Sequence, residues 1–199
     1  KIALKYGGTI DKFVGDAILI FFGDPETKGD KEDAYSCVLM ALEMQERMHH
    51  LKNLWEGQGI TNPLEIRIGI NTGYCNVGNF GSENRLDYTI IGGEVNLASR
   101  LESNAMTGQI LISQETYALI KKHIVCEKKD EIKVKGIAHK IQTYQVVGSY
   151  KNIAQKRKIL NEKFDGFNLN IDLNISKKNK VITSLENTLK QLKKDEKSN

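Results

Sequence analysis

Two polar residues of a predicted hairpin near the start of the chain could bind a metal ion or a ligand. The β-rich runs Thr9–Val14 and Ala17–Phe22 are separated only by Gly15-Asp16, which is a two-residue hairpin signal. A carboxylate fixed in a tight turn is a rigid oxygen ligand for a hard divalent cation, so Asp16 is a candidate metal ligand. Lys12 precedes it and, because side chains alternate along a strand, can project from the face that the turn presents. The alternatives are local hydrogen bonding by a turn aspartate and a solvated strand lysine.

A second candidate pair lies on a helix predicted from about Glu94 to Asn104. Asn96 and Arg100 stand at positions i and i+4, so an amide and a guanidinium point the same way. The planar guanidinium suits a phosphate, and Gly92-Gly93 before the helix would let a ligand approach the backbone. The alternative is a solvated helix surface. Together the two pairs indicate a phosphate-and-metal site.

Several other catalytic classes are excluded by their missing motifs. The sequence contains no P-loop or dinucleotide-binding fingerprint. It also has no Gly-x-Ser-x-Gly elbow, His-Glu-x-x-His pair or kinase signature. The cysteines, Cys37, Cys75 and Cys126, are odd in number and unrelated in spacing, which predicts neither a disulfide framework nor a zinc site and fits a reducing cytoplasm.

Strand and helix patterns alternate along the chain, which predicts an α/β or α+β fold. Helical spacing of apolar residues is found from Glu32 to Leu51 and in a shorter helix, Glu115–Lys122. The other predicted strands are Leu64–Ile70, Tyr88–Ile91, Gln109–Ser113, Ile124–Val134 and Ile141–Val147. A loop containing three glycines is expected between the first two of these strands.

Length and charge indicate one domain, residues 1–149, followed by a basic extension, residues 150–199. The chain has 199 residues and a net charge of +4. Residues 151–199 carry 12 basic and 6 acidic groups, which leaves a net charge of −2 on the remainder, so a nucleic-acid-binding face is not expected. One amphipathic helix is predicted in the extension from the spacing of Val181, Leu185, Leu189 and Leu192. No apolar run approaches the ~20 residues of a membrane-spanning helix.

Four separated motifs resemble the catalytic domain of class III nucleotidyl cyclases. They are Lys12-Phe-Val-Gly-Asp16-Ala-Ile, the run Arg67-Ile-Gly-Ile-Asn-Thr-Gly73, the segment from Asp87 to Glu102, and Val134-Lys135-Gly136. The resemblance covers about residues 1–148. It implies an α+β, ferredoxin-like palm that works as a head-to-tail homodimer with active sites at the interface.

The resemblance also implies roles for the residues that bind the base and the metals. Asp16 matches one of the family's two metal-binding aspartates, which together hold two divalent cations, Mg²⁺ or Mn²⁺. Lys12 and Thr89 match the pair that reads the purine, and the Lys/Thr combination implies adenine and thus the Lys/Thr subgroup of adenylyl cyclases.

The remaining matched positions belong to the sugar and phosphate part of the substrate. Asn96 resembles the amide that orients the ribose, Arg100 the residue that stabilises the transition state, and Lys135 the residue that binds the triphosphate. The implied reaction is attack of the 3′-hydroxyl of ATP on its own α-phosphorus, giving cyclic AMP and pyrophosphate.

Two other functions compete with this interpretation. A degenerate cyclase-homology domain would dimerise and regulate without turnover, and the intact set of matched residues argues against it. A diguanylate cyclase is suggested by Gly92-Gly93-Glu94, but that family places its motif on a hairpin turn, whereas here a helix follows directly.

The sequence departs from the family pattern at its start. The family's first strand and its Phe-x-Asp-Ile/Leu-x-Gly-Phe motif, which supplies the other metal aspartate, are absent, and Gly93 stands where many members have Asp. We therefore expect that the chain is part of a longer protein and is inactive alone, and that any membrane contact occurs only through upstream segments.

Overall fold

A computed structural model of the protein describes residues 1–82, 85–134, 140–150, 159–172 and 178–195. The chain divides into two compact units, Lys1–Ser149 and Tyr150–Asn199.

The described part of the first unit mixes helices with strands. The helices are α1 (Ile2–Lys5), α2 (Asp30–Gly57), α3 (Gly93–Asn104) and α4 (Gln114–Ile120). The strands are β1 (Thr9–Val14), β2 (Ala17–Phe21), β3 (Ile68–Ile70), β4 (Asn76–Ser82), β5 (Arg85–Ile91), β6 (Ile110–Ser113), β7 (Ile124–Lys128) and β8 (Thr143–Ser149).

A four-stranded sheet in the order β3-β6-β8-β7 forms the centre of this unit. β3 pairs parallel to β6, and the other pairs are antiparallel. Every residue of β6 is buried because both faces of the sheet are covered. Ile110 and Ile112 contribute to a core with α2 and α4, whereas Leu111 packs with Leu97 and Leu101 of α3.

Two antiparallel hairpins carry several of the candidate residues. β1 pairs with β2 around Gly15-Asp16 as predicted, with Val14 opposite Ala17. β4 pairs with β5 from Asn76 opposite Ile91 to Ser82 opposite Arg85. The expected glycine-rich loop is therefore wrong over residues 76–82, which form a strand in spite of two glycines.

Element lengths differ from the sequence expectations where tertiary contacts decide them. The strand expected from Leu64 begins only at Ile68, and the Ile66 carbonyl accepts a hydrogen bond from the Gln45 side chain. The long strand expected to reach Val134 ends at Lys128. α2 is longer than predicted at both ends, and acidic residues in its first turn complement the helix dipole.

The described residues of the second unit form a hairpin and one helix. β9 (Ile159–Phe164) and β10 (Phe167–Asp172) pair around Asp165-Gly166, and the Phe164 and Phe167 rings stack 4.6 Å apart. The helix α5 (Lys178–Asp195) confirms the predicted amphipathic helix, whereas the hairpin was not predicted from the Lys- and Asn-rich sequence. Across the described segments, no helix combines the length and apolar character that crossing a bilayer requires.

We predict that Gly69→Ala disrupts the packing of α3 against β3. A Cβ at this position would lie 2.7 Å from the Cα of Glu102 and would overlap neighbouring helix backbone, which cannot move aside as a side chain can. The substitution should lower the free energy of unfolding by at least about 3 kcal/mol, measured by urea denaturation. The control Gly57→Ala, with open space around its Cβ, should be neutral or slightly stabilising. Equal stability of the two variants would contradict this packing.

Candidate active site

The predicted metal ligand lies at the end of an exposed hairpin. Asp16 and Lys12 are both exposed, and Gly15 takes a positive φ of 65° that closes the two-residue turn. Apolar side chains are exposed in the outer half of this hairpin, next to the turn. There Phe13 is 69% exposed and Val14 is 61% exposed. Asp16 therefore projects into solvent beside an apolar surface.

A carboxylate that the sequence analysis did not single out lies at the inner end of the same hairpin. Asp11 occupies an irregular position in the β1–β2 register, where Ile10 and Lys12 oppose consecutive residues of β2. A bulge of this kind redirects side chains, and only 1% of the surface of the Asp11 side chain is exposed to solvent. Nothing in the residue spacing predicted a buried carboxylate here, since Asp11 stands next to Lys12 and no alternation of apolar and polar residues marks it as facing inward.

Asp11 brings the two proposed purine-reading residues together. Its Oδ2 accepts a hydrogen bond from the Thr89 hydroxyl at 2.7 Å and another from the Ile90 backbone N–H at 3.3 Å. Its Oδ1 lies 3.5 Å from the ammonium of Lys12. Lys12 on β1 and Thr89 on β5, far apart in sequence, thus share one carboxylate. Thr89 itself is buried, with 4% of its surface exposed, whereas Lys12 remains open to solvent.

A second link holds β5 against the loop that follows β2. The Tyr88 hydroxyl donates a hydrogen bond to the Asp24 carboxylate, and the Thr9 hydroxyl donates to the Asp24 carbonyl at 2.7 Å. The hydrogen bond to Asp24 raises the pKa of Tyr88, with partial desolvation and the aspartate charge acting in the same direction. Thr89 is therefore presented by a strand that is fixed on both sides of it.

The candidate phosphate-binding residues lie together on the outer face of α3. Asn96 and Arg100 are exposed and line a depression of about 360 Å³ with Ser99 and Val134. Leu97 and Leu101 on another face of the helix are buried, so α3 has one apolar face and one solvent-exposed polar face. Arg100 has no carboxylate within ion-pair distance among the described residues. Its guanidinium is available for an anionic ligand.

The first turn of α3 is fixed to the end of β3. The Asn71 amide donates to the Glu94 carbonyl at 3.1 Å and to the Glu94 carboxylate at 2.6 Å. The Glu94 side chain also lies so close to Gly73 that a Cβ there would meet it at 2.6 Å. These contacts set the direction in which Asn96 and Arg100 project.

Two groups of candidate residues form in the part of the chain that the structure describes. One is the Asp11 cluster, made of Asp11, Lys12 and Thr89, and the other is the depression on α3. No hydrogen bond or ion pair joins the Asp11 cluster to the depression on α3 within the described ranges. Lys135, the expected triphosphate-binding residue, lies outside the described residues, although its neighbour Val134 lines the depression.

The described residues do not by themselves complete a metal site. Asp16 is a single carboxylate, and nowhere in the described ranges do three His, Cys, Asp or Glu side chains come together as a cation site requires. Two divalent cations would therefore need ligands in addition to those this part of the chain supplies.

The sequence matches a known family over most of the first unit. Residues 6–148 match the family described as the adenylate and guanylate cyclase catalytic domain. The chain is 36% identical over 146 residues to "Adenylate cyclase, terminal-differentiation specific" of Dictyostelium discoideum, covering 71% of the chain. It spans 7% of that relative's length and no more than 28% of the next two curated relatives.

Solved structures agree with the family match. The adenylyl cyclase CyaB from P. aeruginosa has a TM-score of 0.73 and 62% identity over 75% of this chain and 76% of that chain. The guanylyl cyclase Cya2 has a TM-score of 0.68 and 37% identity over 74% of each chain. The chain belongs to the class III adenylate/guanylate cyclase catalytic domain family. The predicted family and the α+β, ferredoxin-like palm fold are thereby confirmed.

We predict that the Thr89 hydroxyl stabilises the fold through Asp11. Thr89→Val keeps the shape of the side chain but removes a donor to a buried carboxylate, and it should lower the free energy of unfolding by about 1–3 kcal/mol. Thr89→Ser retains the hydroxyl and should cost less. Chemical denaturation of both variants measures the difference, and a Val variant as stable as the Ser variant would contradict the hydrogen bond.

Proposed function

We propose that the chain is an adenylate cyclase catalytic domain that converts ATP to 3′,5′-cyclic AMP and pyrophosphate. The observation that carries this proposal is the placement of Lys12 and Thr89 on one buried carboxylate. A lysine ammonium donates hydrogen bonds and a threonine oxygen can accept them, which suits a base edge that offers both an acceptor and an amino group. The adenylate cyclases among the relatives support the same base.

The residues on α3 suit the charge that develops during this reaction. The 3′-oxygen of ATP forms a bond to the α-phosphorus as it loses its proton, and the bond from that phosphorus to the bridging oxygen of pyrophosphate breaks. Negative charge then grows on the α-phosphoryl oxygens and on the leaving pyrophosphate. Arg100 offsets this charge by electrostatic stabilisation, Asn96 orients the ribose, and Lys135 binds the triphosphate.

The proposal includes two divalent cations, Mg²⁺ or Mn²⁺, with Asp16 as one ligand. Cyclases of this class generally use divalent metals. The remaining ligands would come from a second copy of the chain, from residues outside the described ranges, or from substrate phosphates and water, so the roles of the chain are limited here to binding, orientation and charge stabilisation.

A homodimer is the proposed working state. The two clusters are not joined within the described residues of one chain, and the outer end of the β1–β2 hairpin exposes apolar side chains next to Asp16. Burying such a surface against a second copy would remove apolar area from water and would bring residues of two chains to one site.

The three cysteines carry no disulfide, which supports a cytoplasmic location.

A catalytically inactive regulatory domain is the second candidate. The incomplete set of metal ligands among the described residues favours it. The experiment that separates the two is an assay of cyclic nucleotide formation from ATP and from GTP with Mn²⁺, with product identity established by mass spectrometry. It is run on this chain and on the chain preceded by any upstream coding sequence. Cyclic AMP from either supports the proposal, and no product from a folded dimer supports the regulatory domain.

We predict that Asp16→Ala abolishes turnover and leaves the dimer intact. The substitution removes a proposed metal ligand from an exposed turn, where a side-chain truncation costs little folding energy. Asp165→Ala is a matched control because Asp165 occupies the turn of the β9–β10 hairpin in the second unit. Both variants are made in the active protein, extended by its upstream coding sequence, and activity and sedimentation velocity are measured on each. An Asp16→Ala variant with normal turnover would remove this residue from the site.

We predict that Arg100→Ala lowers kcat more than it weakens ATP binding. A donor aimed at transition-state charge typically contributes ~10²–10³ in rate, so kcat should fall by about that factor while KM changes little. Arg47→Ala, which removes an exposed arginine from α2, should have no effect. If KM rises and kcat is unchanged, Arg100 binds the ground state and our assignment is wrong.

A further inference from the structure

The buried position of Asp11 suggests a role in selecting the base. The Asp11 side chain is almost fully buried at a bulge in β1, where its carboxylate accepts hydrogen bonds from the Ile90 backbone N–H and the Thr89 hydroxyl. We propose that Asp11 is a positioning residue that holds the hydroxyl proton of Thr89, so that Thr89 offers a purine only a hydrogen-bond acceptor. This inference rests on the proposed function.

The hydrogen-bond partners of Thr89 determine where its proton lies. A threonine hydroxyl has one proton to donate and two lone pairs that accept. Both of its neighbours are acceptors, namely Asp11 Oδ2 at 2.7 Å and, less favourably, the Ile90 carbonyl at 3.4 Å. Whichever of these receives it, the proton points into the protein. The oxygen is left with lone pairs for a ligand.

A threonine oxygen that can only accept distinguishes the two purines. Position 6 of adenine carries an amino group that donates, whereas position 6 of guanine carries a carbonyl oxygen that accepts. Adenine can therefore donate to Thr89, but guanine would place two acceptors against each other. A Thr89 hydroxyl free to rotate could donate to the guanine oxygen and would lose this discrimination.

Burial keeps the orientation of the hydroxyl fixed. Only 1% of the Asp11 side chain is exposed, so little water competes with Asp11 for the Thr89 proton. The Ile90 N–H donates to the same oxygen of Asp11 that receives the Thr89 proton. An asparagine at position 11 would consequently turn its amide oxygen, not its NH₂, toward Thr89.

The test compares Asp11→Ala with Asp11→Asn in the ratio of kcat/KM for ATP to that for GTP. Asp11→Ala leaves the Thr89 proton only the poor contact with the Ile90 carbonyl at 3.4 Å, so the hydroxyl can turn and donate to guanine, and the ratio should fall roughly 10- to 100-fold. Asp11→Asn keeps an acceptor for that proton but removes the charge beside Lys12, and the ratio should stay within about threefold of the parent value. Because both substrates are measured on one sample, partial unfolding of a variant cancels from the ratio.

Two controls separate positioning from a general effect on the fold. Asp33 accepts hydrogen bonds from the Thr27 hydroxyl and the Lys28 N–H, which repeats the chemistry of Asp11 without a hydrogen bond to Thr89. Asp33→Ala should leave the ratio unchanged. In a Thr89→Val background, Asp11→Ala should also leave the ratio unchanged, since the group through which Asp11 acts is gone.

Each alternative outcome has a definite meaning. An unchanged ratio in Asp11→Ala, an equal loss in Asp11→Asn, or a persistent loss in the Thr89→Val background would overturn the role of Asp11 while leaving the adenylate cyclase proposal in place. Absence of cyclic AMP from the parent protein, assayed together with its upstream coding sequence, would instead contradict the proposed function. Binding of ATP and GTP analogues that lack the 3′-hydroxyl, measured by calorimetry, then tests the preference for adenine without turnover, and a parent protein that binds neither overturns both.

Discussion

The close contact between α3 and β3 determines how the candidate phosphate-binding face is presented. Gly69 lies against the backbone of α3 so tightly that no side chain fits between them. Leu97 and Leu101 are buried against the central sheet on this side, which turns the opposite face of the helix toward solvent. The hydrogen bonds from Asn71 to Glu94 fix the start of the helix. Asn96 and Arg100 project from a rigid element whose position is set by backbone contact, and such support is what an electrostatic site requires.

The other half of the candidate site depends on a single buried carboxylate. Asp11 joins the β1–β2 hairpin to β5 and holds Lys12 and Thr89 at the junction. A buried carboxylate with two hydrogen-bond donors and an ion-pair partner is expensive to disturb, because removing a donor leaves a polar group unsatisfied away from water. The outer end of the same hairpin is exposed and apolar beside Asp16. One short hairpin thus combines a rigid base, suited to reading a ligand, with a tip suited to contact with a second chain.

The sequence predicted the parts of the molecule that local chemistry decides. Gly15-Asp16 between two β-rich runs predicted the first hairpin, and the spacing of Asn96 and Arg100 predicted that they share a helix face. It failed where partners distant in sequence decide the outcome. Glycines in β4 indicated a loop, yet pairing with β5 makes the segment a strand. The buried Asp11 could not be predicted either, because a bulge that redirects a side chain leaves no trace in residue periodicity. The hairpin of the second unit was missed although its sequence carries the signal, since apolar and polar residues alternate from Phe167 to Asp172 after the turn Asp165-Gly166; the Lys- and Asn-rich composition around it obscured this pattern.

The central claim is that Asp11, Lys12 and Thr89 hold the purine while Asn96 and Arg100 hold the phosphates of one ATP. A crystal structure of the protein with an ATP analogue that lacks the 3′-hydroxyl, and so cannot be cyclised, tests it most directly. We expect the 6-amino nitrogen of adenine about 3 Å from the Thr89 hydroxyl oxygen, and Arg100 of the same or a second copy at the α-phosphate. An adenine ring bound away from Lys12 and Thr89, or phosphates bound away from the outer face of α3, would contradict the account.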